Sequence, residues 1–259
     1  MMDWVMALAM ILPFLHRLST TARGVTLGAP VPSADNKAGE GAFDPVTEID
    51  RVAERVLRGE IEAAFPEDGI EGEEYGLIRG EARRRWLLDP VDGTRALICG
   101  LPSWTTLVAL VEDGEPTHGF IDSPALDELM TGTPEGALLN GRPVRVSSCT
   151  SLAEARLSTT DPYLFAGRES EAFERVRSGV RLARYGLDAL AYARLAAGHL
   201  DLVVESGLKP HDWAALVPVV RGAGGVVGDW RGGTDFAGGA IVAASTQALF
   251  DEAVSLLNG

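Results

Sequence analysis

A hydrophobic segment of the chain runs into two aspartates three residues apart, followed by a Gly-Thr pair: Trp86-Leu87-Leu88-Asp89-Pro90-Val91-Asp92-Gly93-Thr94. Because Pro90 disfavours the helical region at the residue before it, we expect Asp89 to end a strand and Asp92 to lie one turn further on. Both carboxylates can then point to one place, where they would bind a hard cation. A helix that starts at Gly93-Thr94 would offer N–H groups to a phosphate. An Asp-rich turn with a helix cap has the same composition and is the simpler alternative.

Two further acidic groups strengthen the metal interpretation. Glu73 and Glu74 lie in a loop bracketed by glycines, and Asp212 starts an apolar helix within Lys209-Pro210-His211-Asp212-Trp213-Ala214-Ala215. Taken singly, the glutamate pair is typical of a solvated surface, and the aspartate is typical of a helix cap. Carboxylates that converge repel one another unless a cation lies between them, so the ordered set favours a metal site.

The three acidic segments, in this order and at these separations, resemble the three signatures of the inositol monophosphatase superfamily. The resemblance extends from about Asp44 to the C-terminus and includes Asp44-Pro45-Val46-Thr47-Glu48-Ile49-Asp50, which is similar to an early family element. It implies a phosphate monoester hydrolase, a homodimer, and an α+β fold of the layered α-β-α-β-α type. It also implies two or three Mg²⁺ ions, held by Glu73, Asp89, the Val91 carbonyl, Asp92 and Asp212.

The resemblance further implies a role for each residue in catalysis. Glu73, Asp92 and Thr94 are the expected catalytic residues, with Glu73 and the Thr94 hydroxyl orienting the attacking water. Gly93 and Thr94 are expected to bind the phosphate. The water would attack phosphorus in line, without a covalent phosphoenzyme, while bound ions activate the water and stabilise the leaving alkoxide.

Three other runs are most similar to the histidinol-phosphate phosphatase branch of the superfamily. They are Asp92-Gly93-Thr94-Arg95-Ala96, Tyr185-Gly186-Leu187-Asp188-Ala189-Leu190-Ala191-Tyr192-Ala193 and Gly207-Leu208-Lys209-Pro210-His211-Asp212. The resemblance implies a substrate from histidine biosynthesis that carries an ammonium and an imidazole. Asp188 and Glu205 would favour those cations, although Asp188 could simply cap a helix and Glu205 could simply end a strand. Inositol 1-phosphate, sugar phosphates and 3′-phosphoadenosine nucleotides are alternative substrates.

Other classes of protein find less support in the sequence. The four histidines have no Gly-x-Ser-x-Gly motif to serve, and the chain has no Gly-x-x-x-x-Gly-Lys-Ser/Thr loop, which argues against a triad hydrolase and a P-loop enzyme. A catalytically silent relative that acts as a regulatory binding protein is the alternative from a different class. The intact acidic set argues against it.

Composition restricts the partners and the compartment. The chain has 259 residues and a formal charge of −14, which repels nucleic acids and anionic membranes but not a metal-bound phosphate ester. Cys99 and Cys149 are too few for a disulfide framework, so we expect a reducing, cytoplasmic location. The apolar opening contains Asp3 and Pro13, which favours a first helix packed on the domain over a signal peptide or membrane span.

The elements that must position these residues follow from the periodicity of the sequence. We expect one domain over residues 1–259, with approximate sub-domains 1–150 and 151–259. Asp113-Gly114 and Asn140-Gly141 predict hairpin turns, and 24–41 reads as a loop. Helices are predicted at 1–15, 49–65, 169–177, 187–197, 212–222 and 246–257. Strands are predicted at 85–88, 108–112, 118–122, 137–139, 143–147, 180–183, 200–204, 225–227 and 240–243.

Overall fold

Two β-sheets organise the chain, which a computed structural model describes over residues 2–28, 35–36 and 45–259. Two-residue strands β1 (Asp35–Asn36) and β2 (Pro45–Val46) pair separately. The larger sheet contains β3 (Gly69–Gly72), β4 (Gly76–Ile78), β5 (Arg84–Asp92), β6 (Thr105–Glu112), β7 (Glu115–Ser123), β8 (Glu128–Thr133), β9 (Gly136–Leu139) and β10 (Arg142–Pro143). The smaller sheet contains β11 (Arg156–Thr159), β12 (Leu182–Tyr185), β13 (Leu202–Glu205), β14 (Val226–Asp229) and β15 (Ile241–Ala244).

The larger sheet has the order β10-β9-β8-β7-β6-β5-β3-β4, and β3 and β5 are its parallel pair. The smaller sheet has the order β12-β11-β13-β15-β14, in which β11 runs parallel to β12 and β13. The helices of the described residues are α1 (Met2–Thr26), α2 (Glu48–Ala64), α3 (Thr94–Ile98), α4 (Arg168–Gly179), α5 (Leu190–Ala196), α6 (Pro210–Trp213), α7 (Leu216–Gly222) and α8 (Gln247–Asn258).

Strand β5 shows how the layers are built, because its two faces contact different helices. Trp86 and Leu88 are buried with residues of α1 and α2, whereas Leu87 is buried with residues of α5 and α7. This alternation is the two-residue period of a strand that is covered on both faces. The other face of the smaller sheet packs on α4 and α8. The layers are therefore α1/α2, large sheet, α5/α7, small sheet and α4/α8, which confirms the expected α-β-α-β-α fold.

Most predicted elements are present, with shifted ends. Both hairpins are confirmed, although the second strand of the later hairpin is only β10. The prediction missed β3, β4, β8 and β11, which are short or lack clear alternation. The opening helix is longer than expected and runs through Pro13 to Thr26, so the predicted loop starts later, and most of it lies outside the described residues.

Three predicted elements have different limits in the structure, and backbone geometry explains the first two. Strand β5 continues past Asp89 to Asp92, with a register irregularity between them that absorbs Pro90. The helix predicted at 187–197 begins only at Leu190, because Gly186 and Asp188 have φ of 79° and 48°, values that a right-handed helix excludes. The helix predicted at 212–222 is divided into α6 and α7.

The described part of the chain includes no helix with the length and hydrophobicity needed to cross a bilayer. The larger sheet ends at Pro143 and the smaller one begins at Arg156. The division of the chain into sub-domains near residue 150 stays a prediction.

Close packing of α7 on β8 yields a prediction about stability. A Cβ added at Gly132 would lie 2.3 Å from the Val219 backbone nitrogen and 2.4 Å from the Pro218 carbonyl carbon. Since neither backbone atom can move freely, we expect Gly132→Ala to lower the free energy of unfolding by about 1–3 kcal/mol or more. Denaturant unfolding measures this change.

The matched control is Gly59→Ala in the middle of α2. A Cβ added at Gly59 meets no atom within 4 Å, so alanine should raise stability by about 0.5–1 kcal/mol through its better helix propensity. Equal stability of wild type and Gly132→Ala would contradict the close approach of α7 to β8.

Candidate active site

A cavity of about 250 Å³ lies where β5 ends and α3 begins. Its lining also includes Arg95, Thr160, Leu164 and Lys209. Of the nine residues predicted for the site, Glu205 does not line this cavity, whereas the other eight do: Glu73, Asp89, Val91, Asp92, Gly93, Thr94, Asp188 and Asp212. Segments far apart in the chain are thus brought to one place.

The irregular end of β5 positions Asp89 and Asp92. Asp89 Oδ1 accepts a hydrogen bond from the Val91 N–H at 3.1 Å. Asp92 Oδ2 accepts hydrogen bonds from the Ala189 N–H at 2.8 Å and the Thr105 hydroxyl at 3.2 Å. These bonds hold both carboxylates in place without neutralising them, because all the donors are uncharged.

Gly93 makes the turn from β5 into α3. Its φ of 80° lies in the left-handed region, and an added Cβ would lie 3.1 Å from Asp188 Oδ2 and 3.3 Å from the Trp104 Cα. Glycine is therefore required by both the backbone conformation and the space. Thr94 begins α3, so the predicted helix start is confirmed. Binding of phosphate by Gly93 and Thr94 stays a prediction.

A buried glutamate on α2 shapes the turn that carries Glu73. Glu54 accepts hydrogen bonds from the N–H groups of Glu74 at 2.7 Å and Tyr75 at 3.1 Å, and pairs with Arg58 at 2.7 Å. The Glu73 N–H donates to the Leu88 carbonyl at 3.2 Å, which ties the turn to β5. Glu73 lines the cavity, whereas Glu74 is not among the lining residues.

Asp212 is the third residue of α6 rather than its N-cap residue, and its carboxylate caps the helix from that position as the acidic member of a capping box. Its Oδ2 accepts a hydrogen bond from the Lys209 N–H at 2.7 Å. His211 Nε2 lies 3.4 Å from Asp212 Oδ1. Pro210 at the start of α6 turns the chain so that Asp212 reaches the cavity while the following residues enter the core.

The aspartates of the cavity carry raised pKa values. Burial raises the pKa of Asp89 well above its usual range, and Glu73, Asp92 and Asp212 raise it further. Burial also raises the pKa of Asp92, with Asp188 as its strongest charged neighbour. The pKa values of Asp188 and Asp212 are likewise raised, mainly by burial. Each carboxylate is therefore costly to ionise in the absence of a cation.

The donor set suits a hard cation such as Mg²⁺, since it consists of carboxylate oxygens and one backbone carbonyl that face a polar cavity. Within the described residues, no three His, Cys, Asp or Glu side chains are already close enough together to hold an ion. A bound cation would offset the mutual repulsion of the desolvated carboxylates that line the cavity. The residues thus fit a divalent metal.

Asp50 belongs beside the site, although the sequence reasoning did not select it. It is 1% exposed, accepts hydrogen bonds from the Thr47 N–H at 2.9 Å and from the Thr47 hydroxyl, and lies 3.4 Å from the Thr94 hydroxyl. Burial raises the pKa of Asp50, and Glu73 adds to that effect. The early family-like element that ends at Asp50 carried the signal, but it was used only to support the resemblance.

Glu205 lies behind the cavity at the end of β13. It is 4% exposed and accepts hydrogen bonds from the Thr160 N–H at 2.7 Å, the Thr160 hydroxyl at 3.0 Å and the Thr159 hydroxyl at 3.2 Å. Burial raises the pKa of Glu205 to about 8. Glu205 lines a second, smaller cavity together with Asp188, so its contact with substrate stays a prediction.

Comparisons with known proteins give a family match over most of the chain. The model of the inositol monophosphatase family matches residues 17–258. The chain is 46% identical over 193 residues to the chloroplastic bifunctional phosphatase IMPL2 of Arabidopsis thaliana, covering 73% of this chain and 56% of that longer protein. It is 37% identical over 190 residues to the histidinol-phosphatase of Chlorobaculum parvum, covering 73% of each.

A solved structure extends the match to almost the whole chain. An inositol monophosphatase from Zymomonas mobilis superposes with a TM-score of 0.84 at 40% sequence identity. The superposition covers 95% of this chain and 97% of that one.

Relief of the carboxylate repulsion should be measurable without any substrate. We expect Asp89→Asn to raise the free energy of unfolding of the metal-free protein by about 1 kcal/mol, or about 2–4 °C in Tm. The folded-state pKa of Asp89 is raised, so its charge destabilises the fold only as the pH rises past about 4. Thermal unfolding in EDTA at pH 4 and pH 7.5 measures the difference.

The control is Asp251→Asn, which removes an equal charge from an exposed position on α8. It should leave the Tm of the metal-free protein unchanged at both pH values. Mg²⁺ at 100 times its Kd should stabilise the wild type by about 2.7 kcal/mol, and Asp89→Asn much less. A less stable metal-free Asp89→Asn protein would contradict the electrostatic interpretation of the cavity.

Proposed function

Because the chain belongs to the inositol monophosphatase family and is therefore a metal-dependent phosphatase of small phosphate monoesters, we propose that its substrate is histidinol phosphate. We place the active site in the cavity at the end of β5. The observation that carries it is that Asp188 faces the same cavity as the metal-binding carboxylates, with Glu205 directly behind. These two acids exceed the needs of a metal site.

The acidic cavity would hold magnesium through the following oxygens: the carboxylates of Glu73, Asp89, Asp92 and Asp212 and the carbonyl of Val91. Two or three ions are part of the proposal. Bound Mg²⁺ supplies neutralisation of phosphoryl charge and a lowered pKa for the attacking water. The structure supports this set because Glu73, Asp89, Asp92 and Asp212 line one cavity, where burial and the other three acids raise the pKa of Asp89.

Protein groups at the start of α3 would bind the phosphate and orient the water. The backbone N–H groups of Gly93 and Thr94 would donate to phosphate oxygens. The Thr94 hydroxyl lies 3.0 Å from the Val91 carbonyl and 3.4 Å from Asp50 Oδ1. Thr94 can therefore donate to either oxygen while its own oxygen accepts a hydrogen bond from the water, and Glu73 would accept a second hydrogen bond from that water.

Asp188 and Glu205 would recognise the cationic part of the substrate. Histidinol phosphate carries an ammonium and a titratable imidazole, whereas inositol phosphate carries no cation. A buried carboxylate such as Glu205, with its pKa raised to about 8, is stabilised by a cationic partner more than by a hydroxyl. The similarity to a histidinol-phosphatase supports the same choice.

Inositol 1-phosphate is the second candidate substrate. The Zymomonas mobilis structure, with its high identity and nearly complete coverage, is that of an inositol monophosphatase. A cavity of about 250 Å³ also has room for a cyclitol ring. Dimerisation and a cytoplasmic location stay predictions.

A hydroxyl at position 94 should be essential to turnover. We expect Thr94→Val, which keeps the shape and removes the hydroxyl, to lower kcat by about 100-fold or more. Thr94→Ser retains the hydroxyl and should stay within about tenfold of the wild type. Steady-state kinetics with saturating Mg²⁺ test this pair. Equal losses in both variants would assign Thr94 a packing role instead.

Phosphate release from a panel of esters tests the substrate. With Mg²⁺, kcat/KM for histidinol phosphate should exceed that for inositol 1-phosphate, fructose 1,6-bisphosphate and 3′-phosphoadenosine 5′-phosphate by about tenfold or more, because a buried charged pair contributes over 1 kcal/mol. Asp188→Asn should reduce that preference, and Asp92→Asn should abolish all release. A preference for another ester would overturn the substrate and retain the phosphatase.

A further inference from the structure

Tyr192 presents a buried hydroxyl that the catalytic proposal does not use. It lies on α5, is 1% exposed, and its hydroxyl has no hydrogen-bond partner in the described part of the chain. Buried hydroxyl groups nearly always have a partner, so an orphan at the edge of an active site points to a ligand.

Tyr192 lines the smaller cavity, which has a volume of about 20 Å³. Asp188 and Glu205 line it beside Tyr192, and Leu208 and Leu216 supply apolar walls. A cavity of this volume accommodates one group of about the size of a water molecule. Asp92, Thr160, Asp188 and Asp212 line both cavities, so the smaller cavity adjoins the catalytic one.

The polar lining of the smaller cavity is rich in acceptors. Glu205 lines it and is held in place by three hydrogen bonds from Thr159 and Thr160. A primary ammonium has three N–H donors and no acceptor. The oxygens of Asp188, Glu205 and Tyr192 provide three acceptors for it, while an imidazole ring is too large for the space.

We propose that the smaller cavity is a subsite for a primary ammonium group and that Tyr192 is a specificity-determining residue for it. This inference rests on the proposed phosphatase site and deepens it. In an amino-alcohol phosphate such as histidinol phosphate, the ammonium is on the carbon next to the ester carbon. It must therefore lie close to the reacting phosphate, as the smaller cavity lies close to Asp92 and Asp212.

The test compares two phosphonates that cannot be hydrolysed and differ only in ammonium against methyl: 3-aminopropylphosphonate and butylphosphonate. Calorimetry with the Mg²⁺-loaded protein should show that the wild type binds 3-aminopropylphosphonate at least about tenfold more tightly than butylphosphonate. Tyr192→Phe should lose most of that preference, whereas the matched Tyr185→Phe, at an exposed tyrosine outside both cavities, should keep it.

Thermal unfolding of the metal-free variants supplies an independent readout. Since the Tyr192 hydroxyl has no partner to lose, Tyr192→Phe should unfold at the same temperature as the wild type or higher. A lower Tm would assign the hydroxyl a structural role and overturn the subsite. Absence of binding, or the same amino preference in wild type and Tyr192→Phe, would overturn it as well.

The outcomes separate this inference from the substrate proposal. A Tyr192-dependent amino preference without hydrolysis of histidinol phosphate would retain the subsite and reject that substrate. Efficient hydrolysis of histidinol phosphate without the preference would retain the function and reject the subsite.

Discussion

Several carboxylates share one poorly hydrated cavity, and their repulsion is the constraint on which the rest of the site depends. Asp89 is almost completely buried, and its charge is opposed by desolvation and by four neighbouring acids. Such a cluster persists only if the scaffold holds its members in place and a cation offsets their charge. Uncharged backbone and hydroxyl donors perform the first task here, and a bound metal ion would perform the second.

The scaffold holds the cluster by joining elements from distant parts of the chain. The irregular end of β5 supplies two aspartates, the turn after β3 supplies Glu73, and α6 supplies Asp212. Hydrogen bonds hold two of these acids in place. Glu54 accepts a hydrogen bond from the turn that carries Glu73, and the Ala189 N–H donates one to Asp92. The buried carboxylates that repel one another lower the stability of the fold, as is usual where residues serve an active site.

Chemistry and selectivity occupy neighbouring parts of the same acidic region. The acids proposed to bind metal and the start of α3 line the larger cavity, where phosphate and water would react. Asp188 lies between the two cavities, and Glu205 and Tyr192 lie at the inner one. A cationic substrate would therefore neutralise Asp188 and Glu205, which are not among the proposed metal ligands. The choice of substrate thus depends on the charge of the whole acidic region.

Local sequence determined the acidic motifs, the helix start at Thr94, both hairpins and the hydrophobic strand that leads into Asp89, because each depends on neighbours a few residues apart. It could not determine that β5 continues to Asp92, since pairing with β6 supports that irregular segment. Local sequence also could not predict that Asp50 lies beside the Thr94 hydroxyl, or that Tyr192 lines a cavity with Glu205 while its hydroxyl lacks a hydrogen-bond partner. Those relations join residues 44 or 13 positions apart, and only the packing of α2, α5 and the two sheets decides them.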